Sequence, residues 1–326
     1  MSSVVAALPA ARGPLSEAII GSFHRDERGE FPELGEVGDA DPFGEDVQLA
    51  LYLCYELHYQ GLAGVDPDWE WDPELLRLRA AMERSFLAGL RAAVAGGEDV
   101  ESELDELLVE PVDGNGLSHF LAGQGEWWHL REYFVHRSVY HLKEADPHAW
   151  VIPRLRGRAK AALVAVEFDE FGGGRGDRVH ARLYADLMEA AGLDAGYLHY
   201  LDRAPASMLA VVNLMSLFGL HRRLRGALVG HFAAAEITTA PSAIRLEHAL
   251  TRLGAPAACT RFFTEHIEAD AVHEQIMRHD VIGGLLTDEP ELAADVVFGI
   301  QATNVVEARF TADVLSAWHS GDSSLR

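Results

Sequence analysis

Two histidines and a carboxylate are spaced along the segment EHIEADAVHE as ligands of a metal site would be. His266, Asp270 and His273 occupy positions i, i+4 and i+7. At about 100° per residue of a helix, the three side chains fall within a stripe about 60° wide on one face. Such a face could provide ligands for one metal ion or for two adjacent ions. The alternative is that the histidines are ordinary surface or core residues.

A second set of candidate ligands flanks the glycines of EFDEFGGGRGDRVH. The segment from Ala161 to Tyr184 can be interpreted as strand, phosphate loop and helix, or as two helices joined by a glycine turn. In the second interpretation the turn lets Glu170, at the end of one helix, face the same cavity as His180, in the first turn of the next. Glu167 and Asp177 each lie one turn earlier and could replace these residues, but Asp177 is expected to cap the second helix.

Two isolated acids complete the set of candidate ligands. Glu144 ends the segment VYHLKE just before Asp-Pro, and Glu236 is a lone acid in the apolar run HFAAAEITTA. Nitrogen and oxygen donors without thiolates are typical of iron or manganese sites and, less distinctively, of zinc sites. Three histidines with four carboxylates exceed the needs of one ion and suit two irons bridged by a carboxylate. Ferritin-like proteins need a pair of Glu-x-x-His motifs, and this chain does not have the pair, so that kind of site is not supported.

Helices must position these residues, because strand alternation and hairpin signals are missing from the chain. Asp72 and Pro73 form a start signal for one helix, and separate helical segments are predicted before and after Pro241. The glycines fail the Rossmann pattern in both frames, since Asp177 and Val179 stand where the third glycine is required. This favours the turn between two helices over the dinucleotide site.

The predicted organisation is all-α, with no internal repeat. Residues 1–45 are rich in glycine, proline and acids, and we expect them to form a flexible N-terminal arm. Residues 46–326 are predicted to form a single helical domain, in which 46–125 supply N-terminal helices and 126–326 the metal-binding core.

The composition limits the classes of partner. The 326 residues include 51 acidic and 27 basic ones, a formal net charge of −24, which argues against nucleic acid and anionic membranes as partners. No apolar run reaches the roughly 18 residues of a membrane helix, and the N-terminus lacks the features of a secretory signal. Two cysteines are too few for a disulfide framework or a Cys-based metal site. We therefore expect a cytoplasmic protein that acts on a small molecule.

In the order and spacing of these motifs, the chain resembles the heme-oxygenase-like diiron oxidases and oxygenases, also called iron-containing redox enzymes. The resemblance runs from about Trp128 to the C-terminus and implies a heme-oxygenase-like helical bundle with an N-terminal helical extension. It also implies two iron ions, cycling between Fe2+ and Fe3+, with O2 as co-substrate and an external electron donor. The implied ligands are Glu144, Glu170, His180, His266, Asp270 and His273. Glu170 is the expected bridging carboxylate.

Glu236 places the chain closest to the N-oxygenating branch of that family, whose members carry a further glutamate on the helix before the His/Asp/His helix. By this resemblance Glu236 is both a seventh metal ligand and a catalytic residue, and a peroxo-diferric intermediate would oxygenate a small amine-bearing substrate in specialised metabolism. Oxidative decarboxylation, C–C cleavage or desaturation of a fatty or amino acid is the alternative reaction. A helical iron-binding protein without turnover is the non-enzymatic alternative. The electron donor is left open, and a homodimer is compatible with the sequence.

Overall fold

The structure, a computed structural model, describes residues 6–24, 31, 34–109 and 114–326, without the side chains of residues 34–36 and 268–271. Throughout these ranges the chain forms α-helices, short 3-10 turns and one π-helical stretch, and it contains no strand. The all-α prediction is confirmed. None of the helices within these ranges combines the length and the apolar character needed to span a lipid bilayer.

The described part of residues 1–125 contains the helices α1 Pro14–Phe23, α2 Leu34–Asp39, α3 Glu45–Glu56, α4 Pro73–Ala93, α5 Val100–Leu108 and α6 Leu117–Gly123. Helix α4 begins as predicted, because the Asp72 side chain accepts hydrogen bonds from the backbone N–H groups of Glu74 and Leu75, with Pro73 in the first helical position.

Helix α1 lies inside the segment for which we predicted a flexible arm. It packs against α3, with Ile19 and Phe23 buried. Its first turn has no cap of its own, but the Asp46 carboxylate of α3 accepts hydrogen bonds from the backbone N–H groups of Leu15 (2.9 Å) and Ser16 (2.8 Å). A partner from another helix thus satisfies the free donors of α1. The division of the chain into an arm and a domain stays a prediction.

Nine helices follow: α7 Trp127–His141, α8 Asp146–Ala149, α9 Gly157–Glu170, α10 His180–Ala190, α11 Ala206–Leu220, α12 Arg225–Arg252, α13 Ala257–Gln275, α14 Gly283–Asp288 and α15 Ala293–His319. The π-helical stretch, Ile276–Ile282, joins α13 to α14. Helix α12 is central, since it packs against α6, α11, α13 and α15.

The prediction of separate helices around Pro241 was wrong, because α12 continues through this proline. Proline has no N–H to donate, so the carbonyl of Ile237, four residues earlier, loses its usual helical partner. Packing of α12 against its neighbours compensates for this local cost. Glu236 therefore lies in the middle of one long helix.

The glycine-rich segment forms a turn between α9 and α10, as the two-helix interpretation predicted. Gly172, Gly173 and Gly174 have φ angles of 77°, 62° and 80°, a region that glycine adopts at little cost. The predicted cap was wrong: α10 begins without a side-chain cap, and the exposed Asp177 carboxylate instead pairs with Arg175 at 3.1 Å.

Candidate metal centre

Two groups of buried ligand atoms share one glutamate. The first group consists of Glu144, Glu170, His180 and His266, and the second of Glu170, Glu236 and His273. Within each group the potential ligand atoms all lie within 4.8 Å of one another. Glu170, at the end of α9, belongs to both, so one carboxylate stands between two sets of donors.

The first group joins the link after α7, the end of α9 and the start of α10 to α13. His180 Nδ1 lies 2.8 Å from Glu170 Oε2, and His266 Nε2 lies 3.8 Å from Glu144 Oε1. His266 Nδ1 donates to the backbone carbonyl of Phe262 at 2.8 Å, which leaves Nε2 as the lone-pair nitrogen. A backbone partner of this kind orients an imidazole for metal binding.

The second group joins α9, α12 and α13. His273 Nδ1 lies 3.0 Å from Glu236 Oε2 and 3.7 Å from Glu170 Oε1. The other ring nitrogen, Nε2, lies 3.2 Å from Asp169 Oδ2. In many metal sites, a carboxylate accepts a hydrogen bond from the ring nitrogen of a histidine that does not bind the metal. This contact fixes the orientation of the ring and its tautomer. Sequence reasoning missed Asp169, although its position next to Glu170 was a usable signal.

Two members of the second group have shifted pKa values. Burial lowers the pKa of His273, but the carboxylates of Glu236, Asp169 and Glu170 outweigh burial and raise it to about 9. Burial, with a contribution from Glu170, raises the pKa of Glu236 against the opposing effect of His273. A metal ion would compete for the same lone pairs as these protons.

The first group has buried polar atoms that a metal ion would satisfy. Glu144 Oε2 makes no hydrogen bond to any part of the chain that is described, and His180 Nδ1, although 2.8 Å from Glu170 Oε2, lacks the geometry of a hydrogen bond to it. Burial raises the pKa of Glu144, but His141, whose Nδ1 lies 2.9 Å from Oε1, and His266 together outweigh burial and hold that pKa well below its usual value. Ionised carboxylates and lone-pair imidazole nitrogens, buried without full hydrogen bonding, match the donor set of iron.

Two further candidate acids, Asp270 and Glu167, differ in what the structure describes of them. Asp270 belongs to the backbone of α13, but its side chain lies outside the described residues, so its role as a ligand stays a prediction. Glu167 is buried, yet it is a member of neither group, and neither of its carboxylate oxygens has a hydrogen-bond partner among the residues described. Burial, with Glu170 and Glu236, raises the pKa of Glu167 well above its usual value.

A buried lysine next to Glu144 anchors the end of α7. Lys143 Nζ lies 2.8 Å from Glu56 Oε2 and over the rings of Tyr52 and Tyr59, at 4.5 and 4.4 Å. Tyr197 donates to the other oxygen of Glu56 at 2.7 Å. The sequence pattern contains no signal for the pairing of Lys143 with Glu56.

A cavity of about 520 Å³ adjoins the two groups of ligands. Glu144, Glu170, Glu236 and His266 are part of its wall, and the wall extends to residues of α5 and α6. Its volume suits a small organic molecule. The carboxylates of both groups therefore border a space that a substrate could enter.

Comparison with known proteins identifies the family. The family model for iron-containing redox enzymes matches residues 131–308, more than half of the chain. The chain belongs to the iron-containing redox enzyme family. The predicted resemblance and the all-α, heme-oxygenase-like fold are thereby confirmed.

This iron-containing redox enzyme is also similar to the nitrosourea synthase of Streptomyces achromogenes subsp. streptozoticus. The two are 26% identical over 177 residues, which make up 54% of this chain and 38% of the relative. The similarity thus covers well under two thirds of the relative. Membership of this family shows that the chain is an iron-containing redox enzyme.

Proposed function

We propose that this protein is an O2-dependent non-heme diiron oxygenase that N-oxygenates a small amine-bearing substrate in specialised metabolism. The position of Glu170 between two groups of buried donors carries the proposal, because one bridging carboxylate with separate donors on either side is an arrangement for two metal ions. The proposed ligands are Glu144, Glu170, His180, Glu236, His266, Asp270 and His273.

The spacing of the histidines along α13 supports two ions rather than one. His266 belongs to the first group and His273 to the second. Seven residues of α-helix span about 10 Å, which is too far for both side chains to share one ion comfortably. The same helix face thus serves two sites on either side of Glu170.

Bound iron would supply the electrons for O2 activation, and an external electron donor would reduce it again. The chain's own contribution is to bury the donors, orient the imidazoles through Phe262 and Asp169, and border the substrate cavity. Glu236 is the proposed catalytic residue, because it lies both in the second group and in the cavity wall.

Nitrogen is the proposed site of oxygenation. The similarity to a nitrosourea synthase supports it, as does the additional glutamate, Glu236, on α12. Glu236 lies in the part of the chain that the family model covers.

Anaerobic titration with Fe(II) tests the metal centre. We expect the wild type to bind near two irons, and Glu170→Ala to bind at most one, because the variant loses a donor from both groups. Iron content and Mössbauer spectra provide the measurement. Asp177→Asn is the matched control, since Asp177 is exposed and pairs only with Arg175 among the contacts described, and it should keep near two irons. Two tightly bound irons in Glu170→Ala would contradict the bridging role.

Reaction of the Fe(II) protein with 18O2 and a panel of primary amines tests the chemistry. Label attached to nitrogen in the product is the expected result. An olefin or a chain-shortened product without label would instead support the desaturating or cleaving alternative. A protein that binds two irons but consumes no O2 with any amine would contradict N-oxygenation.

A further inference from the structure

A second cavity, of about 470 Å³, lies at the end of α9 opposite to the metal centre. Four arginines line it: Arg154, Arg156, Arg222 and Arg225. None of its described lining residues belongs to the cavity beside the metal ligands. Helix α9 begins at Gly157, beside the second cavity, and ends at Glu170, so about 20 Å of helix separates the two places.

The four arginines come from two short segments that are strongly basic in an otherwise acidic chain. Residues 152–158, IPRLRGR, and 221–226, HRRLRG, contain six of the 27 basic residues and no acid. The structure brings these segments together, because both terminal nitrogens of Arg154 donate to backbone carbonyls at the end of α11. These carbonyls belong to Gly219 and to Leu220, the latter at 2.9 Å. A chain with 51 acids thus concentrates positive charge at one cavity.

Most of this positive charge has no acidic partner in the described part of the chain. Arg225 is the exception, since it pairs with Glu289, another residue of the cavity wall. Arg154 donates only to carbonyls, and burial, together with the nearby positive charge of Arg222, lowers its pKa. Arg156 and Arg222 are exposed, and neither forms an ion pair with a described residue. Three guanidinium charges are therefore uncompensated.

The charge balance of the cavity wall identifies the kind of anion that would fit. One further acid, Asp288 at the end of α14, lines the cavity and forms no ion pair with a described residue. Its single negative charge against three uncompensated guanidinium groups leaves two positive charges. A phosphate monoester at neutral pH carries a charge of about −1.5 to −2. Guanidinium groups also present paired N–H donors that match two phosphate oxygens.

The remaining wall indicates an organic ligand rather than a free phosphate ion. Pro153, Ala159 and Leu285 line the cavity together with the arginines. Apolar side chains of this kind contribute to binding only when an organic group covers them. The volume of the cavity is also within the range of sites for small organic molecules.

We propose that this cavity binds a small organic phosphate monoester, and that Arg154, Arg156 and Arg222 hold its phosphate group. Arg154 is fixed at the end of α11 and still has three N–H groups to donate. Arg156 and Arg222 are exposed and can turn toward the ligand. The inference goes beyond the proposed oxygenase function and does not depend on it.

Calorimetric titration of the iron-loaded protein with phenyl phosphate, without O2, tests the proposal. We expect Arg156→Gln and Arg222→Gln each to weaken binding about tenfold or more, because each variant loses charge-assisted hydrogen bonds to the phosphate. Arg223→Gln is the matched control. Arg223 is exposed and lies in the same 3-10 turn as Arg222, but it does not line the cavity, so its variant should keep nearly the wild-type affinity.

Asp288→Asn provides a change in the opposite direction. Removal of this negative charge from the cavity wall should strengthen the binding of phenyl phosphate severalfold. A gain in affinity cannot result from a damaged fold, so this variant keeps the proposal testable if an arginine variant does not fold. An unchanged or weakened affinity in Asp288→Asn would contradict the site.

Inorganic phosphate distinguishes the two sources of the anion. It should bind more weakly than phenyl phosphate because it leaves the apolar wall uncovered, and equal affinities would overturn the assignment of an organic ester. No binding of phenyl phosphate to the wild type would reject the site, as would equal losses in Arg222→Gln and Arg223→Gln. Binding that neither Arg156→Gln nor Arg222→Gln weakens would assign the phosphate to another place, such as the irons, and would also reject it.

Discussion

Lys143 and Glu144 are adjacent in the chain, but their side chains have opposite environments. Lys143 is held in a cage of Glu56, Tyr52 and Tyr59, whereas Glu144 faces the histidines of the first ligand group. The buried ion pair thus fixes the residue next to a proposed ligand. A lysine with so little exposure is stable only with such a partner.

Removing this lysine should destabilise the fold. Lys143→Met leaves the Glu56 carboxylate buried without its cation, and we expect the free energy of unfolding to fall by about 3–5 kcal/mol. Urea unfolding followed by circular dichroism measures it. The exposed pair of Arg175 and Asp177 offers a control, since Arg175→Gln should cost less than about 1 kcal/mol. The double variant Lys143→Met, Glu56→Met should recover part of the loss, and a Lys143→Met effect as small as the control's would disprove the cage.

At the scale of helices, α12 and α15 approach each other so closely that side chains cannot separate them. A Cβ atom at Gly299 would collide with the carbonyl oxygen of Ala227, and one at Gly230 with that of Val296. His231 follows Gly230 directly, and Thr303 lies one turn after Gly299. The close crossing of the two helices therefore sets the 2.8 Å contact between His231 and Thr303.

Adding a methyl group at this crossing should separate the helices. Alanine normally improves a helix over glycine by about 0.5–1 kcal/mol, but Gly299→Ala should instead lower the free energy of unfolding by about 1–3 kcal/mol through overpacking. Gly123→Ala, at the end of α6 where a Cβ meets no atom within 4 Å, is the control and should be neutral or mildly stabilising. Equal urea midpoints for the two variants would show that the crossing tolerates the methyl group.

At the scale of the whole molecule, the candidate centre links five parts of the chain. Its donors come from the link after α7, the end of α9, the start of α10, the middle of α12, and α13. Among the described side chains, the two groups bring three buried carboxylates close together, and these would repel one another without a cation. Metal binding should therefore stabilise the tertiary structure as a unit.

Metal loading should raise the unfolding temperature. A ligand at 100 times its dissociation constant adds about 2.7 kcal/mol to the native state, which shifts the midpoint by several degrees. Thermal unfolding with Mn(II), with and without EDTA, measures the shift and avoids oxidation. Glu170→Ala should lose most of it, and Asp177→Asn should retain it. A midpoint that Mn(II) leaves unchanged at high concentration would argue against a metal site that joins these helices.

Several features of this protein could be predicted from the sequence because they depend on local geometry. Helical periodicity gave the all-α class, and the placement of three candidates on one face of α13 follows from the rise and rotation of a helix. Glu170 and His180 could be paired because a short glycine turn separates them. Local rules also failed where packing outweighed them, as at Pro241 inside α12 and at Asp177, which pairs with Arg175 instead of capping α10.

The tertiary structure decided how donors from different helices combine. It placed His266 and His273 in separate groups, made Glu170 common to both, and brought Glu236 from α12 to His273. It also created the contact of Asp169 with His273, the ion pair of Lys143 with Glu56, and the contact of His148 with His231, and of these only Asp169 had a signal in the sequence. These contacts join residues tens to more than a hundred positions apart, and their distances depend on how helices cross, which periodicity along one helix does not encode.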